Sequence, residues 1–340
     1  MNFMSKAWHR KSFWLWLLLP FSLLVRFIAL RRLRALRKYP KLGQHKDLAC
    51  PVIVVGNITT GGTGKTPLVI ALARHLNNEG FVPAIISRGY KSKAPHYPLL
   101  IDESVPVIEA GDEPSLIYRH TECPVVIDPD RAAALRYVRR HTDADVVLSD
   151  DGLQHYGLPR SYEICVVDPL RLFGNELCLP AGPLREPISR LQQVDAVVLN
   201  GDADKDHPLF SQSYNLRIDP VALVNISTGE RRPLSGAPFK IGTTIDAVAA
   251  LGNPNRFFKL FNELPYQIKA HSYPDHYRYK MEDFQGAAFA DGNPIVMTKK
   301  DGIKCEAFAD SRFWCLDVKV EVDPKLLCHV SKHVLQFVDP

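Results

Sequence analysis

Acidic residues are missing from the first 46 positions. That stretch carries eleven Lys and Arg and no Asp or Glu, so the other 294 residues hold 31 basic against 37 acidic side chains. The formal net charge of +5 therefore conceals a basic end on a mildly acidic body. Such a body argues against general nucleic-acid binding, and its basic flank favours an anionic surface. Close cysteine pairs of the kind a zinc site needs are also lacking. The seven cysteines are scattered at 50, 123, 165, 178, 305, 315 and 328 and read as buried thiols of a reducing compartment. There is no internal repeat and no low-complexity tract. With 340 residues, 46% hydrophobic and 23% charged, the chain is neither disordered, collagen-like nor a small stapled scaffold. Its length suits one large domain or two ordinary ones.

The first feature present is an apolar run over residues 13–30, FWLWLLLPFSLLVRFIAL, broken only by Pro20 and Arg26. As a helix its 18 residues reach roughly 27 Å, barely the thickness of a bilayer core. It runs into RRLRALRK, a poor cleavage site and a good headgroup binder, and Trp8, Trp14 and Trp16 suit an interfacial depth. An interfacial or shallowly inserted helix is expected, a single span and an ordinary core helix being the other readings. A monotopic attachment accommodates basic residues on both flanks.

From residue 51 a strand-then-helix rhythm sets in. Apolar, β-branched strands are expected over 52–55, 82–87, 125–127, 146–149, 164–167 and 196–200, with helices over 65–78, 113–120 and 131–140. This predicts a doubly wound α/β domain with a mostly parallel sheet. Residues 201–208, GDADKDHP, read as a linker to a smaller α/β domain, with a helix opened by Pro254 and a strand over 294–297 leading into TKKDGIK. The expected division is 1–46 for the anchor helix and its basic flank, 47–204 for the core, and 205–340 for a smaller domain closing over the active site.

The sharpest signal follows the first strand, in GNITTGGTGKTP. Gly61, Gly62 and Gly64 precede Lys65 and Thr66 at the mouth of a helix. Glycines let backbone N–H groups turn inward around a phosphate, the helix N-terminus adds partial positive charge, Lys65 reaches the terminal phosphates and Thr66 can hold Mg²⁺. The strict P-loop pattern needs Gly at 59, where Thr59 stands, so the loop is a variant. Residues Thr59, Thr60, Gly61, Gly62, Thr63, Gly64, Lys65 and Thr66 are the expected nucleoside triphosphate site of a P-loop NTPase-like domain. A carboxylate at a neighbouring strand end should position the metal, and Asp150 and Asp151 supply it. Adjacent side chains there point apart, so at most one should face the ion directly. Asp112 and Glu113 in AGDEP either face the γ-phosphate, where one accepts a hydroxyl proton, or merely open a helix. His155 and His276 stand beside polar loops.

Eight motifs in one order carry a resemblance. VVGNITTGGTGKTP (54–67), SRGY (87–90), GDEP (111–114), DPDR (128–131), SDDGLQH (149–155), LPAGPLREP (179–187), the GNPNRFF run (252–258) and YPDHY (273–277) resemble the tetraacyldisaccharide 4'-kinase family, the lipid A 4'-kinases. The likeness runs from the N-terminal helix to about residue 304. It implies transfer of the γ-phosphate of ATP, with Mg²⁺, to the 4'-hydroxyl of a tetraacyldisaccharide 1-phosphate on the cytoplasmic face of a Gram-negative inner membrane. It implies Asp112 as catalytic base, paired with His276 on domain closure, and Asp150 and Asp151 at the metal and γ-phosphate. Thr66, Asp150 and Glu113 are then the metal residues, and Arg88, Glu113, Gln154 and His155 line the acceptor side. No nucleic acid or obligate protein partner is expected. One departure stands out: Lys299 occupies the place of a Glu in T-E-K-D, so any role for an acid there is absent.

Two rivals remain at this level. TKKD after an apolar strand matches the [NT]-K-x-D guanine reader of a membrane-associated GTPase, but Ser149-Asp150-Asp151-Gly152 lacks the D-x-x-G spacing of a γ-phosphate switch. A membrane-targeting or metal-inserting ATPase of the K-G-G-x-G-K-T kind needs a lysine where Thr60 stands.

Overall fold

The computed structural model describes residues 4, 7–8, 12–38, 50–201, 210–252, 254–262, 264–289 and 292–338. The expected linker lies outside them but for its first residue. The chain forms two compact units, residues 218–319 and the remainder.

In the larger unit, a 3₁₀ turn at Phe13–Leu18 leads into helix α1 (Leu19–Lys38). Pro20 sits in the first turn of α1, where its missing N–H has no helical partner to lose. Leu15, Ser22, Ala29 and Leu33 are buried, and the Ser22 hydroxyl donates to the Cys178 carbonyl at 2.7 Å. Phe13 is 88% exposed and Leu17 79%, and Trp16, Phe21, Leu24 and Phe27 are exposed as well. The segment Phe13–Ala35 is long and apolar enough to cross a membrane.

Strand β1 (Val52–Gly56) is followed by α2 (Lys65–Asn78), β2 (Pro83–Ser87), a short β3 (Leu99–Ile101), α3 (Asp112–Thr121), β4 (Val125–Ile127), α4 (Arg131–His141), β5 (Val146–Asp150), β6 (Tyr162–Val167) and β7 (Ala196–Asn200). The strand order is β7-β6-β1-β5-β2-β4-β3, parallel throughout except for β3 against β4. β1 is central and wholly buried, and for that reason residues 52–55 are an unbroken β-branched run. Its register sets Val55 opposite Asp150 and Gly56 opposite Cys165, so the loop after β1 and the carboxylates after β5 emerge side by side. Helix α2 buries Leu68, Val69, Leu72, Ala73 and Leu76, a stripe at helical spacing.

A long strand β8 (Tyr214–Asn225) begins beside β7, with Val198 opposite Tyr214. The smaller unit continues with β9 (Arg231–Pro233), β10 (Thr244–Ala249), α5 (Pro254–Lys259), β11 (Gln267–Ser272), β12 (Ile295–Thr298), α6 (Lys299–Gly302) and β13 (Phe313–Val322). β11, β10, β12 and β13 pair in parallel in that order. Both faces of this sheet are covered. Ala247, Ala249, Val296 and Trp314 pack with Phe257 and Phe261 on one side, and Val248, Ile295, Met297 and Phe313 pack with Tyr279, Phe284 and Phe289 on the other.

The sequence predicts a smaller domain running to residue 340, whereas residues 320–338 group with the larger unit. The reason is α7 (Pro324–Val338): Ser331 meets His75 of α2 at 2.8 Å, and His329 meets Tyr214 at 2.6 Å.

Candidate active site

Gly64 caps α2 in a left-handed conformation, φ 94°, and Gly61 has φ 105°, backbone that L side chains rarely adopt. The loop is braced from outside by the LPAGPLREP segment. The Thr60 amide donates to the Pro183 carbonyl at 2.8 Å, the Arg185 amide to the Ile58 carbonyl at 2.7 Å, and Thr59 bridges Leu184. Thr66 stands in the first turn of α2, beside Lys65.

The two aspartates diverge as the strand end requires. Asp150 is buried, and its Oδ1 has no hydrogen-bond partner among the described atoms. Burial, Glu113 and Asp151 push it up to about 7 against the pull of Lys65 and Arg131. Asp151 turns outward through a left-handed backbone, φ 48°. Its carboxylate lies 3.5 Å from Lys65 and accepts from Arg185 at 3.0 and 3.1 Å. Burial alone would raise it, but these two cations outweigh burial and hold it at about 2. It is the fixed negative charge of the site.

Arg185 also donates to Gln154 Oε1 at 3.2 Å, and Gln154 Nε2 donates to the Asn57 carbonyl at 2.9 Å. Gln154 thus ties Arg185 to the start of the phosphate loop. Arg131, buried in α4, donates to the Asp128 carbonyl at 2.8 Å and to the Asp150 carbonyl at 3.2 Å. Burial, then Arg131 and Arg88, push His155 down to about 4, so it is neutral at pH 7. Half-buried Asp112 and Glu113 open α3, where the helix N-terminus favours carboxylates. One site of the larger unit therefore gathers Lys65, Glu113, Asp150, Asp151, Gln154 and His155, with the charges of Arg88, Arg131 and Arg185.

In the smaller unit, His276 is held at φ 61°, its Nε2 3.4 Å from Lys300 Nζ and 3.8 Å from Asp275. TKKD has a structural use. Asp301 is buried and accepts from the Thr298 hydroxyl at 2.9 Å, the Ala250 amide at 3.1 Å and Lys304 at 2.7 Å. Engaged in this way, it is not placed to read a guanine.

The residues suit Mg²⁺. Among the described residues no three His, Cys, Asp or Glu side chains form a metal cage. An ion held by one or two carboxylates and a hydroxyl, with phosphate oxygens and water completing its shell, needs none. Buried Asp150 Oδ1, at the end of β5, and the hydroxyl of Thr66, at the mouth of α2, are donors of that kind.

Sequence reasoning assigned no role to Arg185, Arg131, Asn57 or Asn200. Arg185 and Arg131 stood inside quoted motifs, LPAGPLREP and DPDR, but only the fold shows what they touch.

The family model described as tetraacyldisaccharide-1-P 4'-kinase matches residues 14–335. A tetraacyldisaccharide 4'-kinase of Hahella chejuensis is 42% identical over 322 residues, 94% of this chain and 92% of the relative. One of Aeromonas hydrophila is 43% identical over 325 residues, 95% and 93% of the two chains. Among solved structures, LpxK from Aquifex aeolicus in complex with ATP superposes with a TM-score of 0.73 at 30% identity, covering 93% of this chain and 98% of that one.

Proposed function

Because this chain belongs to the tetraacyldisaccharide 4'-kinase family, it is an ATP- and Mg²⁺-dependent kinase of lipid A biosynthesis, and we propose how its residues divide the reaction. The acceptor is the 4'-hydroxyl of a tetraacyldisaccharide 1-phosphate and the donor is the γ-phosphate of ATP.

The reading rests on one observation: Lys65, Arg185 and Asp151 are locked together beside buried Asp150 at the end of β1 and β5. Amides of residues 61–66 cradle the phosphates. Lys65 and Arg185 stand at the terminal phosphate, fixed in place by Asp151 before any charge develops. Thr66 and Asp150, with Glu113, would hold Mg²⁺, which would supply positive charge against the phosphate chain. Asp112 accepts the proton of the attacking hydroxyl, and His276 of the smaller unit serves the same step. Arg88 and neutral His155 line the acceptor side, and Gln154 serves there while holding Arg185.

The exposed apolar face of α1, with basic Arg31, Arg32 and Arg34, supports a monotopic seat on the cytoplasmic face of the inner membrane. Four acyl chains keep the acceptor in the bilayer, so a tethered enzyme searches in two dimensions.

The test is Asp112→Ala. ATP binding should persist while turnover on tetraacyldisaccharide 1-phosphate falls by about 10²-fold or more, the scale of a lost general base. Turnover like that of the wild type would refute the role.

A further inference from the structure

The phosphate loop has an internal brace that neither the motif nor the family reading explains. Asn200, the last residue of β7, is only 2% exposed, and its Nδ2 donates to the Thr63 carbonyl at 2.8 Å across 137 residues of sequence. The same nitrogen would lie 2.0 Å from a Cβ built on Gly64, so the carboxamide fills the space that a side chain at 64 would take.

The geometry of one peptide unit gives this contact its consequence. The described cis bonds are Tyr97-Pro98 and Leu179-Pro180, so the Thr63–Gly64 bond is trans. In a trans peptide the C=O and N–H point to opposite sides of one rigid plane. Fixing the Thr63 carbonyl on Asn200 therefore aims the Gly64 N–H the opposite way, away from Asn200. The left-handed φ of 94° at Gly64 is what permits that plane orientation. Without a donor at 200, a buried carbonyl next to the nucleotide site would lose its partner and the plane would be free to turn.

We propose that Asn200 is a positioning residue of this kinase, holding the 63–64 peptide so that the Gly64 amide faces the nucleotide's phosphate chain. The proposal rests on the reading of residues 61–66 as the ATP cradle. It differs from a packing role because it depends on the donor and not on the volume at 200.

Asn200→Asp and Asn200→Ala separate the two in the full-length chain. Aspartate keeps the shape beside Gly64 but, when ionised, offers the Thr63 carbonyl an acceptor in place of a donor. Binding of ATP is measured by calorimetry, KM for ATP and kcat by transfer to tetraacyldisaccharide 1-phosphate, and the melting temperature without nucleotide in parallel. Asn200→Asp should weaken ATP binding and raise KM for ATP by about tenfold or more, at least as much as Asn200→Ala, with KM for the acceptor unchanged. An Asn200→Asp enzyme that binds ATP like the wild type overturns the proposal. So does a fall of more than about 10 °C in its melting temperature, which makes Asn200 a residue of the fold. Failure of the wild-type chain to bind ATP or to transfer phosphate would instead strike at the cradle reading itself.

Discussion

Arg185 donates from one guanidinium nitrogen to both carboxylate oxygens of Asp151, at 3.1 and 3.0 Å. Both residues lie on loops, one after β5 and one in a segment paired to the phosphate loop, so the ion pair connects the three pieces that build the site. A cation fixed in this way needs no reorganisation as charge develops on the transferred phosphoryl group.

Arg185→Ala should therefore lower kcat by about 10²-fold or more, the scale of a lost preorganised donor, with the fold intact. Because the contacts to Asp151 and Gln154 all run from one nitrogen, Nη1, Arg185→Lys keeps a cationic donor for them and should recover more of kcat than Arg185→Ala. Steady-state kinetics on both variants check this, and an Arg185→Ala enzyme with wild-type kcat would remove the clamp from the account.

Beneath Arg185, the next residue points the other way. Glu186 is buried, accepts from the Tyr156 hydroxyl and lies 3.3 Å from Arg190, which also pairs with Glu163, itself 3.0 Å from Arg160. Arg190→Ala leaves two buried carboxylates short of their cation and should cost roughly 3–5 kcal/mol of stability, measured by urea unfolding. A loss under about 1 kcal/mol would mean water reaches this cluster.

How much of this could be read from residues alone differs from element to element. The helix over 65–78 and the strands over 125–127 and 196–200 match the observed elements end to end, because apolar periodicity and glycine punctuation act locally. Strand β13 and helix α7 had no motif to announce them. The attachment of α7 to the larger unit depends on His75–Ser331, a contact across 256 residues that no local pattern encodes. Lys65, Asp150 and Asp151 can be singled out from residues alone because phosphate and metal chemistry restrict residue type and spacing. Arg185 and Asn200, and the bracing contact of Gln154, cannot, since these roles arise from which loops the sheet order brings together.

The departure at Lys299 has a measurable use. Lys299 lies 2.6 Å from Asp317, which Arg231 approaches at 3.2 Å. Burial raises Asp317, but these cations outweigh it and hold the carboxyl below its usual range. Depressed in the fold, the group contributes stability that is present above its unfolded value near 4 and lost as pH falls through the lower folded value. Asp317→Asn should flatten that acid limb of the thermal stability curve. Lys299→Glu should destabilise at neutral pH by setting two carboxylates side by side. A Lys299→Glu protein as stable as the wild type would contradict the pairing.

Membrane attachment is tested on the outward face of α1, since its inner face carries buried Ser22, Ala29 and Leu33. The double variant Phe21→Glu, Leu24→Glu should leave the melting temperature unchanged and release the protein from vesicles of anionic phospholipid, each buried side chain contributing about 1.5–3 kcal/mol. Unaltered partition would place the anchor elsewhere.

The most direct measurement incubates the full chain with Mg²⁺, γ-labelled ATP and tetraacyldisaccharide 1-phosphate in detergent micelles, alongside Lys65→Ala and a GTP control. Label should appear on the 4'-position of the disaccharide with ATP preferred over GTP, and the Lys65→Ala chain should transfer almost none. Label released only as inorganic phosphate, or equal transfer by Lys65→Ala, would contradict the account.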